Sequence, residues 1–344
     1  MRVGIVGCGH VAGKHLRALG KVRGVEVVSV CDADTNRGRD VATRFGVAGI
    51  HARLSEMIAK DRPAAVHILT PPATHRDLAV EALDSGCHVL VEKPMATRLD
   101  DADAMIEAAR RSRRVLAVCH NVLYQTSVRR ALDLLASGDL GGLVSVEIFW
   151  RIERPEPSEQ PLWVRDLPGG IFQEVAPHPL YVALAFLGPS RVAAVVAKRS
   201  GDGPRPDELR VVLEGNRAHG SVTVSSRTEP YRLNLQLHGT QATLLIDLAT
   251  DTLVRLESRG KDRAAKLAVS LDHAFRLGFG TIAGTLRVLS GTKAFGHENL
   301  VAKFYATLET GEPPPVSAEE GRALVALLDR VWEALSNAET AGAR

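Results

Sequence analysis

Two short segments combine residue types suited to chemistry on a dinucleotide with positions directly after apolar runs. Near the N-terminus, Gly7-Cys8-Gly9-His10-Val11-Ala12 follows the apolar run Val3–Val6. Further along, Glu92-Lys93-Pro94 follows the apolar run Val89–Val91, so that a carboxylate and a cation stand where a buried strand would end. Because ligands bind at the carboxyl ends of strands in open parallel sheets, both segments predict one site at a sheet edge.

The first segment has the Gly-x-Gly-x-x-Ala spacing of a dinucleotide-binding turn between a strand and a helix. Gly7 permits the tight turn, Gly9 lets the backbone approach a pyrophosphate, and Ala12 keeps the helix close to the sheet. Free N–H groups at the helix start favour the anion, so His10 and Val11 belong to the predicted cofactor site as well. The alternative is an ordinary strand-to-helix connection that happens to be rich in glycine.

Asp32 ends the second apolar run, about 20 residues after the glycine turn. A carboxylate there accepts hydrogen bonds from the adenosine ribose and repels a 2′-phosphate, which favours NAD. Asp34 competes for the same role, and either carboxylate can instead be a charge at a helix start. NADP stays open, because Arg37 or Arg39 can pair with the 2′-phosphate.

Lys93 and His178 are the predicted proton-transfer residues. Pro94 biases Lys93 toward an extended backbone, which would hold its side chain at the edge of the sheet. A histidine suits general acid–base work because imidazole titrates near neutral pH. His178 also follows Gly169-Gly170 and precedes the apolar run Leu180–Leu187, a setting that favours a functional role. A surface lysine and a merely packed histidine are the alternatives.

The elements that position these residues change character along the chain. The first 120 residues alternate short apolar runs with amphipathic helical patterns, which indicates a parallel sheet covered on both faces, a doubly wound Rossmann fold. After about residue 140, strand patterns follow one another with short turns, which predicts a mostly antiparallel sheet. They are Val144–Trp150, Arg191–Lys198, Glu208–Leu213, Gly220–Ser226, Arg232–His238 and Thr243–Asp247.

The predicted fold class is therefore α/β, with an N-terminal Rossmann domain and a C-terminal α+β domain that has an open-faced sheet. A chain of 344 residues is long enough for two such domains. We place an NAD(P)-binding domain at residues 1–122, a substrate-binding and oligomerisation domain at 123–336, and a flexible tail at 337–344. A capping box of Ser317 and Glu320 predicts the start of the last helix.

Composition argues against several classes of protein. Lysine and arginine (43) nearly balance aspartate and glutamate (40) without a pronounced basic run, which disfavours nucleic-acid binding. No apolar stretch approaches membrane-spanning length. The cysteines match no zinc spacing and are predicted to be reduced, which favours the cytoplasm, and the scattered histidines predict no metal site. The four cysteines are Cys8, Cys31, Cys87 and Cys119.

The order and spacing of several motifs resemble the Gfo/Idh/MocA oxidoreductases, named for glucose–fructose oxidoreductase, inositol dehydrogenase and rhizopine catabolism. The resemblance covers nearly the whole chain. Besides the two segments that open this section, it rests on Thr70-Pro71-Pro72-Ala73-Thr74-His75, His120-Asn121, Gly169-Gly170 before His178, and the stretch from Gly296-His297 to Pro314-Pro315-Val316.

This resemblance implies a Rossmann domain and a sheet domain that often mediates oligomerisation, hence a homodimer or homotetramer through the C-terminal sheet. It implies that Lys93 and His178 face the substrate and that Glu174 supports them. It also assigns the following residues to the cofactor: Thr70, Pro71, His75, Glu92, Lys93 and Asn121.

The chain departs from the family pattern at two places. Glu174 stands where relatives commonly have Asp, four residues before His178. The carboxylate can orient the imidazole if both lie in the first turn of a helix, although Pro177 and Pro179 disfavour a helix interior. After His120-Asn121, relatives often carry an arginine that is missing here, which disfavours a strongly anionic substrate at that position.

Aromatic and polar side chains are expected to form the walls of the substrate site, since sugar faces pack on aromatic rings and hydroxyl groups need fixed donors. Tyr124, Trp163 and Arg165 are the candidates, and a structural role is equally open for each.

The predicted function is an NAD(P)-dependent oxidoreductase that transfers a hydride between nicotinamide and a carbinol or ketone carbon of a sugar, inositol or nucleotide-sugar. Two alternatives from other classes are an NAD-dependent glycosidase that uses transient oxidation and a non-catalytic dinucleotide-binding regulator. The presence of Lys93 and His178 favours an enzyme, because binding alone requires neither.

Overall fold

The structure is a computed structural model that describes residues 1–153, 162–167, 170–198, 206–257, 260, 262–290 and 296–342, without the side chains of 162, 166, 264–266 and 337–342. The chain forms two compact units. The first consists of Met1–Tyr124 and Phe295–Ala326, and the second of Gln125–Ala294 and Leu327–Arg344.

The first unit is built on a six-stranded parallel sheet. Its strands are β1 (Arg2–Val6), β2 (Glu26–Cys31), β3 (Gly49–His51), β4 (Ala65–Ile68), β5 (His88–Glu92) and β6 (Leu116–Cys119). They lie in the order β3-β2-β1-β4-β5-β6, the order of a dinucleotide-binding Rossmann sheet. The fold class is thus as predicted, although β3 was not.

Helices follow the strands of this sheet and cover both its faces. They are α1 (Ala12–Leu19), α2 (Thr35–Phe45), α3 (Leu54–Asp61), α4 (His75–Asp84) and α5 (Leu99–Ser112), with short 3-10 helices at Pro72–Thr74 and Asn121–Tyr124. The side chains of β4 are entirely buried, which explains why this strand is a continuous apolar run apart from one histidine. In α5, Asp100 and Asp101 in the first turn and Arg110 and Arg111 in the last complement the helix dipole.

The first unit also contains a late segment of the chain. Helix α11 (His297–Thr310) packs on α1 and contacts β6. Its buried face includes Leu300, Val301 and Phe304. The sequence-based boundary at residue 122 assigned this segment to the second domain, because apolar periodicity along a helix does not reveal which sheet the helix will cover.

The second unit is built on a seven-stranded mixed sheet. Its strands are β7 (Leu143–Arg151), β8 (Ser190–Lys198), β9 (Glu208–Gly215), β10 (His219–Ser225), β11 (Leu233–Gly239), β12 (Ala242–Asp247) and β13 (Thr252–Glu257). They lie in the order β13-β12-β11-β7-β10-β9-β8. Only the pair of β7 and β10 is parallel among these described strands, so the expected, mostly antiparallel sheet is confirmed.

Five further described helices lie wholly within this unit: α6 (Thr126–Ala136), α7 (Leu162–Asp166), α8 (Ile171–Val175), α9 (Pro177–Leu187) and α10 (Arg263–Leu289). Helix α9 packs against β7, β9 and β10 and covers one face of the sheet. The opposite face is open at Val196 and Val212, which are 61% and 42% exposed. Helix α10 packs against β13 and was not predicted.

The last helix, α12 (Ala318–Gly342), starts at the predicted capping box. Ser317 Oγ accepts from the N–H of Glu320 at 3.1 Å, and Glu320 Oε2 accepts from the N–H of Ser317 at 2.7 Å. The backbone of residues 337–342, within the predicted tail, continues this helix, and the side chains of 337–344 lie outside the described part of the chain. No helix among the described residues has the length and apolar character needed to cross a bilayer.

Candidate functional site: a dinucleotide turn, a buried histidine chain and a histidine cavity

The glycine turn after β1 has the geometry that its sequence requires. Gly7 adopts φ +96°, and a Cβ atom there would lie 2.8 Å from both the Leu69 carbonyl carbon and the Thr70 nitrogen. Only glycine therefore fits at this bend. The N–H of Gly7 donates to the Cys31 carbonyl at 2.8 Å, which fixes the turn at the end of the sheet.

The next residues leave an open approach to the start of α1. A Cβ atom at Gly9 would meet nothing within 4 Å, and Gly9 and His10 are exposed. Ala12, fully buried, holds the helix against the sheet, and Val11 has no side-chain hydrogen bond that caps the helix. The N–H groups of Ala12 and Lys14 donate to the carbonyls of Gly9 and Val11 at 3.2 and 2.9 Å. The open backbone at Gly9 and the positive end of the helix dipole still make this turn fit the pyrophosphate of a dinucleotide.

Asp32 is held rigidly at the end of β2. Its Oδ2 accepts from the N–H of Cys8 at 2.8 Å, and its Oδ1 accepts from the N–H of Asp34 at 2.9 Å. Asp34 instead caps α2 by accepting from the N–H groups of Asn36 and Arg37. Of the two carboxylates, Asp34 is therefore the charge at the helix start, and the ribose contact of Asp32 stays a prediction.

Replacing Asp32 with Asn should lower the preference for NAD over NADP at least tenfold. The change removes a ribose acceptor and the charge that repels a 2′-phosphate, while Arg37 Nη1, 3.7 Å from Asp32 Oδ2, remains available to that phosphate. The measurement is kcat/KM for each cofactor. Asp34→Asn is the matched control, because an amide oxygen can still cap α2. An unchanged cofactor ratio in Asp32→Asn would count against the ribose role.

The segment after β4 contains a buried histidine that bonds to the backbone after β4 and after β5. His75 is fully buried, and its Nε2 and Nδ1 lie 2.8 Å from the Thr70 carbonyl oxygen and 3.1 Å from that of Pro94. Burial lowers the pKa of His75, and the two carbonyls only partly oppose this effect. His75 thus joins two loops, whereas Thr70 is half-buried and Pro71 is exposed. The predicted direct contact of His75 with the cofactor stays a prediction.

Glu92 is the last residue of β5 and Lys93 follows it, and the two side chains differ in exposure. Glu92 is buried and Lys93 is half-buried. Glu92 Oε2 accepts from the N–H of Lys93 at 3.1 Å. Burial alone raises the pKa of Glu92, but the hydrogen bond from His15 and neighbouring positive charge, Lys93 included, outweigh it and lower the pKa well below its usual range. Glu92 therefore stays a carboxylate beside the amine.

A chain of buried side chains holds this carboxylate. His15 Nε2 lies 3.0 Å from Glu92 Oε1, and His15 Nδ1 lies 2.9 Å from Nδ1 of His67. His67 Nε2 lies 2.9 Å from the hydroxyl oxygen of Tyr305. Sequence reasoning did not find this chain, because its members come from α1, β4, β5 and α11 and no local spacing connects them.

Part of the proton arrangement in this series of bonds follows from the chemistry of the groups. A carboxylate only accepts, so the Nε2–H of His15 donates to Glu92. Burial lowers the pKa of His67 and raises that of Tyr305, which keeps both neutral. A neutral imidazole carries one N–H, so His67 donates at one ring nitrogen and accepts at the other, and it links His15 to Tyr305 in either order.

Two more polar groups lie beside the carboxylate. Ligand atoms of His15, Glu92, Cys119 and His297 all lie within 4.8 Å of one another. Burial, and next the charge of Glu92, raise the pKa of the Cys119 thiol well above its usual value. Asn121 Nδ2 lies 3.4 Å from His297 Nδ1. The sequence showed no metal spacing here, yet the fold brings four donors together, so the absence of a metal stays a prediction.

Tyr124 ends the 3-10 helix after β6, and the backbone of a late segment holds it. Its hydroxyl donates to the Pro315 carbonyl at 2.8 Å, and its own carbonyl accepts from Asn299 Nδ2 at 3.0 Å. These bonds give Tyr124 a structural role within the first unit. Its predicted contact with substrate stays a prediction.

His178 lies in the first turn of α9, in the second unit. Its ring stacks on Trp150, with centroids 5.8 Å apart and an interplanar angle of 4°. Its Nδ1 lies 2.8 Å from the hydroxyl oxygen of the buried Tyr181. Two neighbours thus fix the orientation of the imidazole. Because Lys93 belongs to the first unit, the convergence of amine and imidazole over one ring stays a prediction.

Glu174 and His178 line the same cavity, which has a volume of about 370 Å³. Glu174 lies in α8, which Gly170 starts with φ +55° and ψ −135°, a conformation that favours glycine. Pro177 is the first residue of α9, so the prolines do not interrupt a helix interior. The full lining is Trp150, Arg151, Ile152, Glu153, Glu174, Val175, His178 and Tyr231.

Arg151 is a cavity residue that sequence reasoning missed. Its Nε donates to the Thr228 carbonyl at 2.8 Å, its Nη2 pairs with Glu229, and its guanidinium lies 5.7 Å from the ring centroid of Tyr231. Burial, together with the charge of Glu153, raises the pKa of Tyr231. The sequence signal that could have indicated Arg151 is a cation at the end of a strand, two residues before Glu153.

The remaining predicted wall residues lie in α7. Trp163 is half-buried and Arg165 is exposed. Neither contributes to the lining of the His178 cavity among the described residues. Gly169, the first glycine of the predicted pair, lies outside the described residues.

The geometry of the first unit is that of a dinucleotide-binding domain. Residues 1–120 match the family model described as "Oxidoreductase family, NAD-binding Rossmann fold", and residues 128–245 match the "GFO/IDH/MocA C-terminal domain". The chain belongs to the Gfo/Idh/MocA oxidoreductase family, so the predicted family and enzyme class are confirmed.

Individual relatives act on carbohydrates and polyols. The chain is 30% identical to dTDP-3,4-didehydro-2,6-dideoxy-alpha-D-glucose 3-reductase of Streptomyces antibioticus, over 72% of this chain and 76% of the relative. It is 24% identical to myo-inositol 2-dehydrogenase of Thermotoga maritima, over 94% and 92%. The fold resembles that of the WlbA dehydrogenase of Bordetella pertussis, solved with NADH and UDP-GlcNAcA (TM-score 0.81, 21% identity, 98% and 96% covered).

Proposed function

We propose that this protein is an NAD-dependent dehydrogenase or reductase of a cyclic sugar, an inositol or a nucleotide-linked sugar. The setting of Lys93 carries the proposal: a half-buried amine directly follows a carboxylate that a buried hydrogen-bond chain keeps ionised. The named activities of the relatives support the substrate class.

The residues after β1 would hold the cofactor. Gly9, His10 and the N–H groups at the start of α1 fit the pyrophosphate, and Asp32 fits the ribose. Bound nicotinamide supplies a hydride acceptor in alcohol oxidation and a hydride donor in ketone reduction. The ionised Glu92 stabilises positive charge at the nearby sheet edge, and Lys93 holds the substrate oxygen there.

His178, which lies in the second unit, would transfer the proton of the substrate hydroxyl. During alcohol oxidation its imidazole takes the hydroxyl proton, and in ketone reduction it returns a proton to the oxygen. Trp150 and Tyr181 hold the ring in place, and Glu174 in the same cavity offers an acceptor for further substrate hydroxyls. Tyr231 gives this cavity an aromatic wall, which suits the apolar face of a sugar.

The experiment is to follow NADH absorbance with a panel of cyclic polyols, aldoses and nucleotide-sugars in both directions. At least one compound should change the absorbance, and His178→Ala should lower its kcat by about 100-fold. Cleavage of a glycosidic bond without net NADH would indicate the glycosidase alternative. No turnover with any member of the panel would refute the proposal.

Tyr181→Phe is the matched variant for the histidine. It keeps the imidazole but removes the hydroxyl that bonds its Nδ1, so kcat should fall by only about tenfold, the cost of one lost hydrogen bond. Equal losses in His178→Ala and Tyr181→Phe would mean that the cavity is only structural.

We further propose that the protein works in the cytoplasm as a homodimer or homotetramer joined through the C-terminal sheet. All four cysteines are buried and free, which suits a reducing compartment. The open face of the sheet, with Val196 and Val212 exposed, supports pairing through that surface.

A further inference from the structure

Helix α10 exposes a stripe of large apolar side chains along its outer side. Seven of them recur every three or four residues, and each is between 60% and 78% exposed. They are Leu267, Leu271, Phe275, Phe279, Ile282, Leu286 and Leu289. A surface helix of a globular protein ordinarily turns such a stripe toward a core, and a contiguous apolar patch of this length marks an interaction surface.

Glycines on the opposite side of α10 fix this orientation. A Cβ atom at Gly280 would lie 2.5 Å from Thr252 Cγ2, and one at Gly284 would clash with the Thr250 carbonyl oxygen. Thr252 Oγ1 donates to the Gly280 carbonyl at 3.0 Å. The helix backbone therefore lies directly on the start of β13, where no larger side chain fits. Rotating the helix to bury its stripe would place leucine and phenylalanine in that gap.

The order of residues in the stripe is nearly symmetric about its middle, between Gly278 and Phe279. Two antiparallel copies of the helix crossing at this point would therefore match apolar residues with apolar residues. The resulting pairs are Leu267 with Leu289, Leu271 with Leu286, and Phe275 with Ile282. A Cβ atom at Gly278 would meet nothing within 4 Å, which leaves room for the opposing Phe279 ring.

Charged residues beside the stripe have partners of their own. Arg276 Nε lies 2.9 Å from Asp272 Oδ2, and Arg287 Nη2 lies 3.5 Å from the Asp251 carbonyl oxygen. A two-fold axis requires that residue i contact j and that j contact i, and the apolar stripe meets this requirement.

The exposed area is that of a stable interface. The stripe is about 33 Å long at 1.5 Å per residue. With about 200 Å² for a full aromatic side chain, Phe275 and Phe279 together expose roughly 280 Å². All seven residues then expose on the order of 800 Å², the area that each partner contributes to a standard interface.

We propose that α10 pairs antiparallel with α10 of a second copy of this chain, about a two-fold axis between Gly278 and Phe279. This surface is distinct from the open face of the C-terminal sheet. Two two-fold interfaces whose axes cross at right angles assemble four copies, so the α10 pair together with a sheet pair at a right angle to it gives a homotetramer.

Cysteine cross-linking tests the axis in the full-length protein. Phe279→Cys lies at the axis and should form a disulfide-linked dimer under mild oxidation, seen on a non-reducing gel. Leu267→Cys alone should not, because the two copies of that position lie about 33 Å apart in the antiparallel pair. The double variant Leu267→Cys/Leu289→Cys should cross-link again. The native cysteines are buried and do not compete.

Light scattering tests the contribution of the stripe to assembly. Leu271→Glu/Phe279→Glu should halve the mass of the particle, with near-UV circular dichroism retained. Ser270→Glu, an exposed position on the same helix but outside the stripe, should leave the mass unchanged. An unchanged mass in the double variant would overturn the proposal. So would cross-linking of Leu267→Cys alone, or stripe-dependent sedimentation with vesicles of anionic lipid.

Discussion

Replacing Lys93 by alanine should lower kcat about a thousandfold while the protein remains folded, because a positioned acid–base group contributes about 10²- to 10⁴-fold. Lys93 is half-buried at the end of β5, directly after the carboxylate that the buried chain holds. Its removal takes away the cation that would hold the substrate oxygen, but it creates no large cavity in the core. The measurement is steady-state turnover of NADH alongside thermal unfolding.

Two further variants provide a control and distinguish proton transfer by Lys93 from a purely electrostatic role. Lys60→Ala removes an exposed lysine from α3 and should leave kcat within about twofold of the original. Lys93→Arg keeps the positive charge but cannot give up a proton at working pH. If Lys93 moves a proton, the arginine variant should be nearly as slow as the alanine variant. If Lys93 supplies charge alone, arginine should restore most of the rate.

Equal turnover in Lys93→Ala and the original protein would remove the residue from the mechanism. The dinucleotide site would be unaffected by that result, because it depends on Gly7, Gly9 and Asp32. Binding of NADH, followed by its fluorescence, separates the two claims.

The sequence predicted those features of the fold that rest on local chemistry. The bend at Gly7, the carboxylate of Asp32 and the cap at Ser317 each depend on residues close along the chain. The strands of the parallel sheet were predicted because both of its faces are covered, which leaves continuous apolar runs in the sequence. Strand β3 escaped prediction because it has only three residues.

Features assembled from distant segments could not be predicted in this way. His15, His67 and Tyr305 are ordinary residues of a helix, a strand and a late helix, and only the packing of α11 on α1 brings them together. Likewise, Gly280 and Gly284 weaken the helical pattern of α10 in the sequence. Their function as a close contact with β13 depends on Thr252, which lies nearly thirty residues earlier.

Replacing His67 by phenylalanine should lower the free energy of unfolding at pH 7.5 by about 4 kcal/mol, at 1–3 kcal/mol for each buried polar group that loses its partner. The hydroxyl of Tyr305 and Nδ1 of His15 would each lose a hydrogen-bond partner. The phenyl ring is close in size to imidazole and retains the apolar contacts with Phe304. Urea unfolding gives the measurement.

Tyr305→Phe is the matched variant, because it removes only one hydroxyl and leaves only Nε2 of His67 without its partner. Its cost should be about 2 kcal/mol, half that of His67→Phe. His219→Phe, at an exposed position of β10, should change stability by less than about 0.5 kcal/mol. If both buried variants were as stable as the original, the chain would not hold Glu92 in place.

The cost of His67→Phe should also shrink as the pH falls. Burial, assisted by neighbouring His15, lowers the pKa of His67 in the folded protein well below its value of about 6.5 in the unfolded chain. Between these two values the unfolded chain binds a proton that the folded protein does not. The original protein therefore loses up to about 1.4 kcal/mol of stability per pH unit on acidification, and the phenylalanine variant lacks this loss.

The difference in the free energy of unfolding between the original protein and His67→Phe should accordingly narrow by about 2 kcal/mol between pH 6.5 and pH 5, at 1.4 kcal/mol per pH unit. Glu92 does not disturb this window, because its depressed pKa adds stability that is fully present above about pH 4.3 and is lost only at lower pH. A difference that stays constant with pH would mean that folded His67 is protonated.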